Sequence, residues 1–218
     1  MIYNDYEIFP IAILFIERNK IFTSFNEYLN TTGKWNFEIN KLDFSKVTSP
    51  PEIKGYYPKL VMWTPSNNKN ITVIFSNVGD GYTNPINNFC IAHNIEVIDV
   101  TFNGLDKNSN SGKYNFRYGK MVDGKQEERV LQYLKDIGWE YYESGKKLDF
   151  ENQSDFAHYH LTNEILIEYL NHFNITIDES FFNSFEEAYY FEQYEWRDVD
   201  IDAEVDEILE NINKKNKG

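Results

Sequence analysis

The chain has 218 residues, 41% hydrophobic and 17% aromatic, so it can bury a sizeable core as one large domain or two small ones and is no disordered segment. Its 21 Lys and Arg stand against 35 Asp and Glu, and the net charge of −14 excludes a general nucleic-acid binder, whose affinity rests on cations meeting phosphates. A single Cys excludes an intramolecular disulfide or a Cys-rich zinc site, and no run approaches the roughly 20 apolar residues of a membrane-spanning helix.

The first residues lack the basic start of a secretory signal, so the expected compartment is the cytoplasm. Residues 8–16 form an unbroken apolar run, which predicts a fully buried strand. Ser24 can cap a short helix through Leu29, ended by Gly33. Residues 35–39 alternate and read as a half-buried strand, and Ser49-Pro50-Pro51 with Gly55 marks a loop. Runs at 60–63 and 71–75, joined by a polar Asn-rich stretch, predict a hairpin. A turn at 78–82 leads into a helix capped by Thr83 or Asn84, with Pro85 in its first turn, ending near His93. A strand at 95–102 follows. Strand, helix, strand at this spacing predicts a βαβ crossover with 71–75 and 95–102 parallel. Residues 103–113 read as an exposed loop and 114–118 as a further strand.

After Asp123-Gly124 the pattern changes. Val130, Leu131, Leu134 and Ile137 recur at helical spacing before Gly138. Residues 139–142 and 147–150 flank a hairpin-like turn. Thr162 caps a helix with Ile165, Leu166, Tyr169, Leu170 and Phe173 on one face. Asp178 is placed to cap another, with Phe181, Phe182, Phe185 and Tyr189 as its stripe. Ile201, Val205, Ile208, Leu209 and Ile212 predict a last amphipathic helix. The expected class is α+β: a mixed sheet with one βαβ-like unit in residues 1–124, and a mainly helical, acidic part in 125–218, packed together as one unit.

Charge is divided as sharply as pattern. Residues 1–124 carry 12 Lys/Arg and 12 Asp/Glu, whereas 125–218 carry 9 and 23. Between Asp178 and Glu210, 13 acids meet only Arg197.

Four features could carry chemistry. Gly79-Asp80-Gly81 before a helix is too short for a dinucleotide or phosphate loop, and Asp80 would repel a phosphate, so a tight turn is expected. His158 and His160, with Asp155 and Glu164 nearby in sequence, could bind a metal but lack a firm third ligand. Cys90 lies in an apolar stretch with only His93 near it, which favours a buried thiol over a nucleophile. No pair of carboxylates is singled out for acid–base work, so no catalytic residue, metal site or cofactor is assigned.

The fourth feature is the acidic, aromatic stretch from Glu179 onward. On a helix, Tyr190, Phe191, Tyr194 and Trp196 cannot share the Phe181–Phe185–Tyr189 stripe, so aromatics are expected at the surface among acids. Such a surface suits a protein interface, and its self-repulsion would be offset by a cationic partner. The expected partner-binding residues are Glu186, Glu187, Tyr190, Glu192, Tyr194, Glu195, Trp196, Asp198 and Asp200. The composition is similar to that of small acidic bacterial proteins that neutralise a toxin, often a nuclease with a basic cleft. The expected function is therefore a non-catalytic module binding a basic protein, in the manner of a bacterial immunity or antitoxin-type inhibitor. A nucleic-acid mimic belongs to the same class. The alternatives are an enzyme with a carboxylate or His-based metal site, and a structural or assembly subunit. Neither a membrane nor direct nucleic-acid contact is expected, and the sequence does not set the oligomeric state.

Overall fold

The unbroken apolar run near the N-terminus becomes β1 (Ile8–Leu14), buried because both of its faces are covered. A computed structural model describes residues 6, 8–48, 57–104, 112–135, 138–152 and 161–196. In chain order β1 is followed by α1 (Arg18–Thr32), β2 (Gly33–Asn40), α2 (Ser45–Thr48), β3 (Lys59–Trp63), β4 (Thr72–Ser76), α3 (Thr83–Ala92) and β5 (Val97–Asn103). Then come β6 (Gly112–Val122), β7 (Lys125–Lys135), β8 (Trp139–Gly145), α4 (Asn163–His172) and β9 (Ala188–Trp196). The nine strands form one sheet in the order β2-β9-β3-β4-β1-β5-β6-β7-β8.

Every pairing in this sheet is antiparallel, so the class is α+β but the sheet is not mixed. The expected hairpin of β3 and β4 forms, with Trp63 opposite Val73. The expected parallel pairing of 71–75 with 95–102 does not. β1 lies between β4 and β5 and pairs antiparallel with each, so those two strands run the same way without touching. Spacing along the chain cannot reveal a strand inserted from elsewhere.

The described residues after Gly124 are not mainly helical: they supply three strands and one α-helix. Asp123 and Gly124 both take positive φ, 50° and 74°. That conformation favours a tight hairpin, and β6 and β7 pair from Val122↔Lys125 to Gly112↔Lys135. Val130, Leu131 and Leu134 therefore lie on a strand; Ile137 is outside the described residues. β8 pairs with β7 rather than with 147–150, where Asp149–Asn152 makes a 3₁₀ turn. α4 forms as expected, with the Thr162 hydroxyl accepting from the Ile165 N–H. Asp178 does accept from the Phe181 N–H, at 3.0 Å, but no helix follows. The backbone is drawn off by bonds from the Ser66 N–H to the Ser180 and Asn183 carbonyls and from the Phe185 N–H to the Thr64 carbonyl. Ser24 lies inside α1, which begins six residues earlier. The expected helix at 201–212 falls outside the described residues.

The sheet separates two cores. α1 and α3 cover one face, over Leu14, Leu60, Met62, Ile74 and Phe191. α2, α4 and residues 175–182 cover the other, over Phe9, Ile11, Trp63, Phe75 and Phe116. This two-sided burial explains why the central strands read as continuous apolar runs. The sheet's open edges are β2 and β8. Among the described residues no helix is long and apolar enough to cross a membrane.

Candidate protein-interaction surface

The aromatic, acidic stretch is a strand, not a helix. β9 inserts between β2 and β3, with Phe37 opposite Phe191 and Leu60 opposite Phe191 on its other side. Alternation then sorts its side chains. Tyr189 and Phe191 join the core under α1, while Ala188 and Tyr190 join the core under α2. Tyr190 is therefore buried rather than displayed. Its hydroxyl donates to the Lys41 carbonyl at 2.7 Å and accepts from the Asp43 N–H at 2.6 Å. Burial raises its pKa.

Tyr194 escapes this alternation. Trp35 pairs with Gln193 and Lys34 with Glu195, so Tyr194 is the extra residue of a β-bulge. It stands 48% exposed. A bulge re-aims a side chain that regular pleating would have fixed.

Three of the expected carboxylates already hold a cation. Glu192 meets Lys59 at 2.9 Å, Glu195 meets Lys34 at 2.8 Å and Glu186 meets Arg18 at 2.8 Å. Arg18 is itself buried, donates also to the Glu187 carbonyl and lies over the Tyr189 ring at 4.1 Å. The carboxylates are about half exposed, so each pair is worth roughly 0–1 kcal/mol, but together they reduce the local charge. The Glu187 carboxylate has no ion pair among the described residues. Trp196 ends β9 opposite Gly33, and Asp198 and Asp200 lie outside the described residues.

Two further surface residues did not stand out in the sequence. Phe37 and Ile39 of β2 are 38% and 50% exposed. Phe37 packs its inner side on Phe22, Tyr189 and Phe191 at 4.8–5.6 Å between ring centres. Alternation in 35–39 marks them as inward-facing, which they are. Their exposure comes from β2 being a sheet edge, which local pattern does not encode. On the opposite face of β2 and β9 lies an open groove of about 440 Å³, lined by Asn36, Glu38, Lys46, Lys59, Tyr190 and Glu192. Phe185, also exposed, is capped by the Lys69 ammonium at 3.6 Å.

Among the described residues the remaining candidates do not assemble into a reaction centre. Gly79-Asp80-Gly81 is a turn in which Asp80 accepts from the Tyr82 N–H at 2.9 Å, and Tyr82, not Thr83 or Asn84, precedes α3 with a left-handed backbone. Cys90 is buried, and burial pushes its thiol well above the usual range. The His93 ring packs at a tilt against Phe89, 4.4 Å between ring centres. Asp155, His158 and His160 lie outside the described residues, and Glu164 is in the first turn of α4. Among the described residues no three His, Cys, Asp or Glu side chains group as a metal site.

One buried acid has a measurable consequence. Asp99 is held by the Asn87 amide at 2.8 Å and faces Arg117 at 4.0 Å. Burial, opposed in part by these groups, pushes its carboxyl up to about 6. A carboxyl raised on folding binds its proton more tightly in the native chain, so its charge costs stability above that value. The cost disappears as pH falls toward the unfolded value of about 4. Asp99→Asn is expected to raise unfolding free energy at neutral pH by on the order of 2 kcal/mol. The gain should vanish in acid, and equal urea midpoints for the two chains at neutral pH would contradict it.

Comparison with known protein families, with characterised proteins and with solved structures finds no match.

Proposed function

We propose that the chain is a non-catalytic binding protein that docks a basic protein through the β2–β9 end of its sheet. The observation that carries this reading is that β2, β9 and the residues leading into β9 expose Phe37, Ile39, Phe185 and Tyr194 along with Glu186, Glu187, Glu192 and Glu195, spread over both faces. Exposed apolar side chains rimmed by charge are the composition of an interface. The bulge that turns Tyr194 outward supports it, because bulges recur where a side chain must be presented. The net charge of −14 would steer a cationic partner from a distance. Inhibition of a basic toxin, such as a nuclease, is the activity that fits this chemistry best.

The ion pairs decide which residues test it. Reversing Glu192 or Glu195 to Lys would place two lysines together, so lost binding could reflect a disturbed strand. Tyr194→Ala and Glu187→Lys avoid this. The chain is first purified from its own cells at low salt, and what leaves it at high salt is identified. Tyr194→Ala is then expected to weaken capture of that protein by about 30-fold, as an exposed aromatic anchor would, with thermal unfolding unchanged. Glu187→Lys should slow association most at low salt. Full affinity in both variants, or no partner at either salt, would overturn the assignment.

A further inference from the structure

We propose that β2 is the seam of a two-fold homodimer in which two sheets join edge to edge. β2 is an eight-residue edge strand, and among the described residues nothing pairs with its outer side. It lacks the devices that normally blunt such an edge. There is no Pro, and from Trp35 to Asn40 the only charge is Glu38, which Lys46 holds at 2.9 Å. The single irregularity in its pairing, opposite Lys34 and Trp35, has its extra residue, Tyr194, on β9 rather than on β2.

The strand's own sequence points to a second copy as the occupant. A two-fold axis perpendicular to the sheet keeps each side chain on its face, so antiparallel partners must be residues of equal parity. Centred on Phe37, the seam sets Phe37 against its copy and Trp35 against Ile39, a continuous apolar row. On the other face Asn36 meets Glu38 and Lys34 meets Asn40, so no like charges are opposed. Centring on Glu38 would set two carboxylates together. Centring on Asn36 would set the half-exposed Ile39 against Gly33, and centring on Ile39 would set Phe37 against Lys41. Of these registers the Phe37-centred one gives both half-exposed side chains, Phe37 and Ile39, an apolar partner.

This seam would cover Phe37 and Ile39, which the basic-partner reading also uses, but it responds to salt in the opposite sense, so the two readings fail separately. An apolar contact between two strongly acidic chains tightens as salt screens their repulsion, whereas an acidic docking face loosens. The full chain is sedimented over a wide concentration range at low and high salt. A mass rising to that of two chains, more readily at high salt, is expected, with Ile39→Lys returning it to one chain while its circular dichroism stays unchanged. Phe37→Cys should oxidise to a covalent dimer and Asn36→Cys should not, because only the former sits opposite its own copy. The native Cys90 is buried and does not compete. A chain that stays monomeric at every concentration overturns the proposal. So does a dimer that survives Ile39→Lys, or one that Asn36→Cys cross-links as readily as Phe37→Cys.

Discussion

Arg129→Met is expected to destabilise the chain by about 3–5 kcal/mol, the usual cost of stranding a buried charge. Arg129 sits on β7 with its side chain 2% exposed. Its Nε and Nη2 donate to both oxygens of Glu151 at 2.7–3.1 Å, Nη2 also reaches Glu143 at 2.6 Å, and Nη1 reaches the Ser144 carbonyl. Glu151 is delivered by the 3₁₀ turn and is buried as well, with the Leu148 N–H as its other donor. The network thus ties β7, β8 and the connection to α4. Removing the guanidinium leaves a carboxylate in the core with one hydrogen bond. Arg129→Met combined with Glu151→Leu removes both charges and should recover most of the loss, since apolar replacement of a whole buried pair is often neutral. Urea unfolding of the two single variants and the double variant measures this. A cost below about 1 kcal/mol for Arg129→Met, or a double variant as weak as the sum, would show that the pair contributes little.

Gly145→Ala should cost about 2–5 kcal/mol, from a backbone penalty and a steric one together. Gly145 ends β8 opposite Arg129 with φ of 84°, a conformation that L side chains rarely adopt. A Cβ there would sit 1.9 Å from the Glu128 carbonyl oxygen, and that oxygen is backbone, so it cannot move without shifting β7. The shift would also disturb Arg129, so this loss and that of Arg129→Met should not add. Gly138→Ala is the control. A Cβ at Gly138 meets nothing within 4 Å, and its effect should stay within about 0.5 kcal/mol. A thermal melt of Gly145→Ala indistinguishable from that of Gly138→Ala would contradict the proposed clash.

What the sequence revealed was set by how local the signal is. β1, the β3–β4 hairpin and α3 rest on contiguous apolar runs and turn residues, and α4 rests on its own Thr162 cap. All of these formed. β7 is ambiguous in sequence because Val130, Leu131 and Leu134 fit a helical spacing as well as a strand, and only the Asp123-Gly124 turn decides between them. β9 is hidden from local pattern for a different reason. Tyr190 is buried by β2 and β3, more than a hundred residues away, and no window along the chain contains those partners. The same distance hid the ion pairs. The acids of 186–195 look unaccompanied because Arg18, Lys34 and Lys59 come from the other end of the sequence. Tyr194 was correctly expected at the surface, but through helical geometry; the bulge that exposes it was not visible.

The position of β9 also shapes how the chain can acquire its structure. During synthesis β2 and β3 emerge early, yet the strand that separates them arrives more than a hundred residues later. Until then both have an open side, and they could pair with each other or with neighbouring chains. Such long-range closure is slow, because loop entropy is lost before the contacts are gained. The interval before residues 188–196 dock is thus the period of greatest exposure to aggregation, and a nascent chain halted within it would carry open sides on β2 and β3 that β9 covers in the finished sheet.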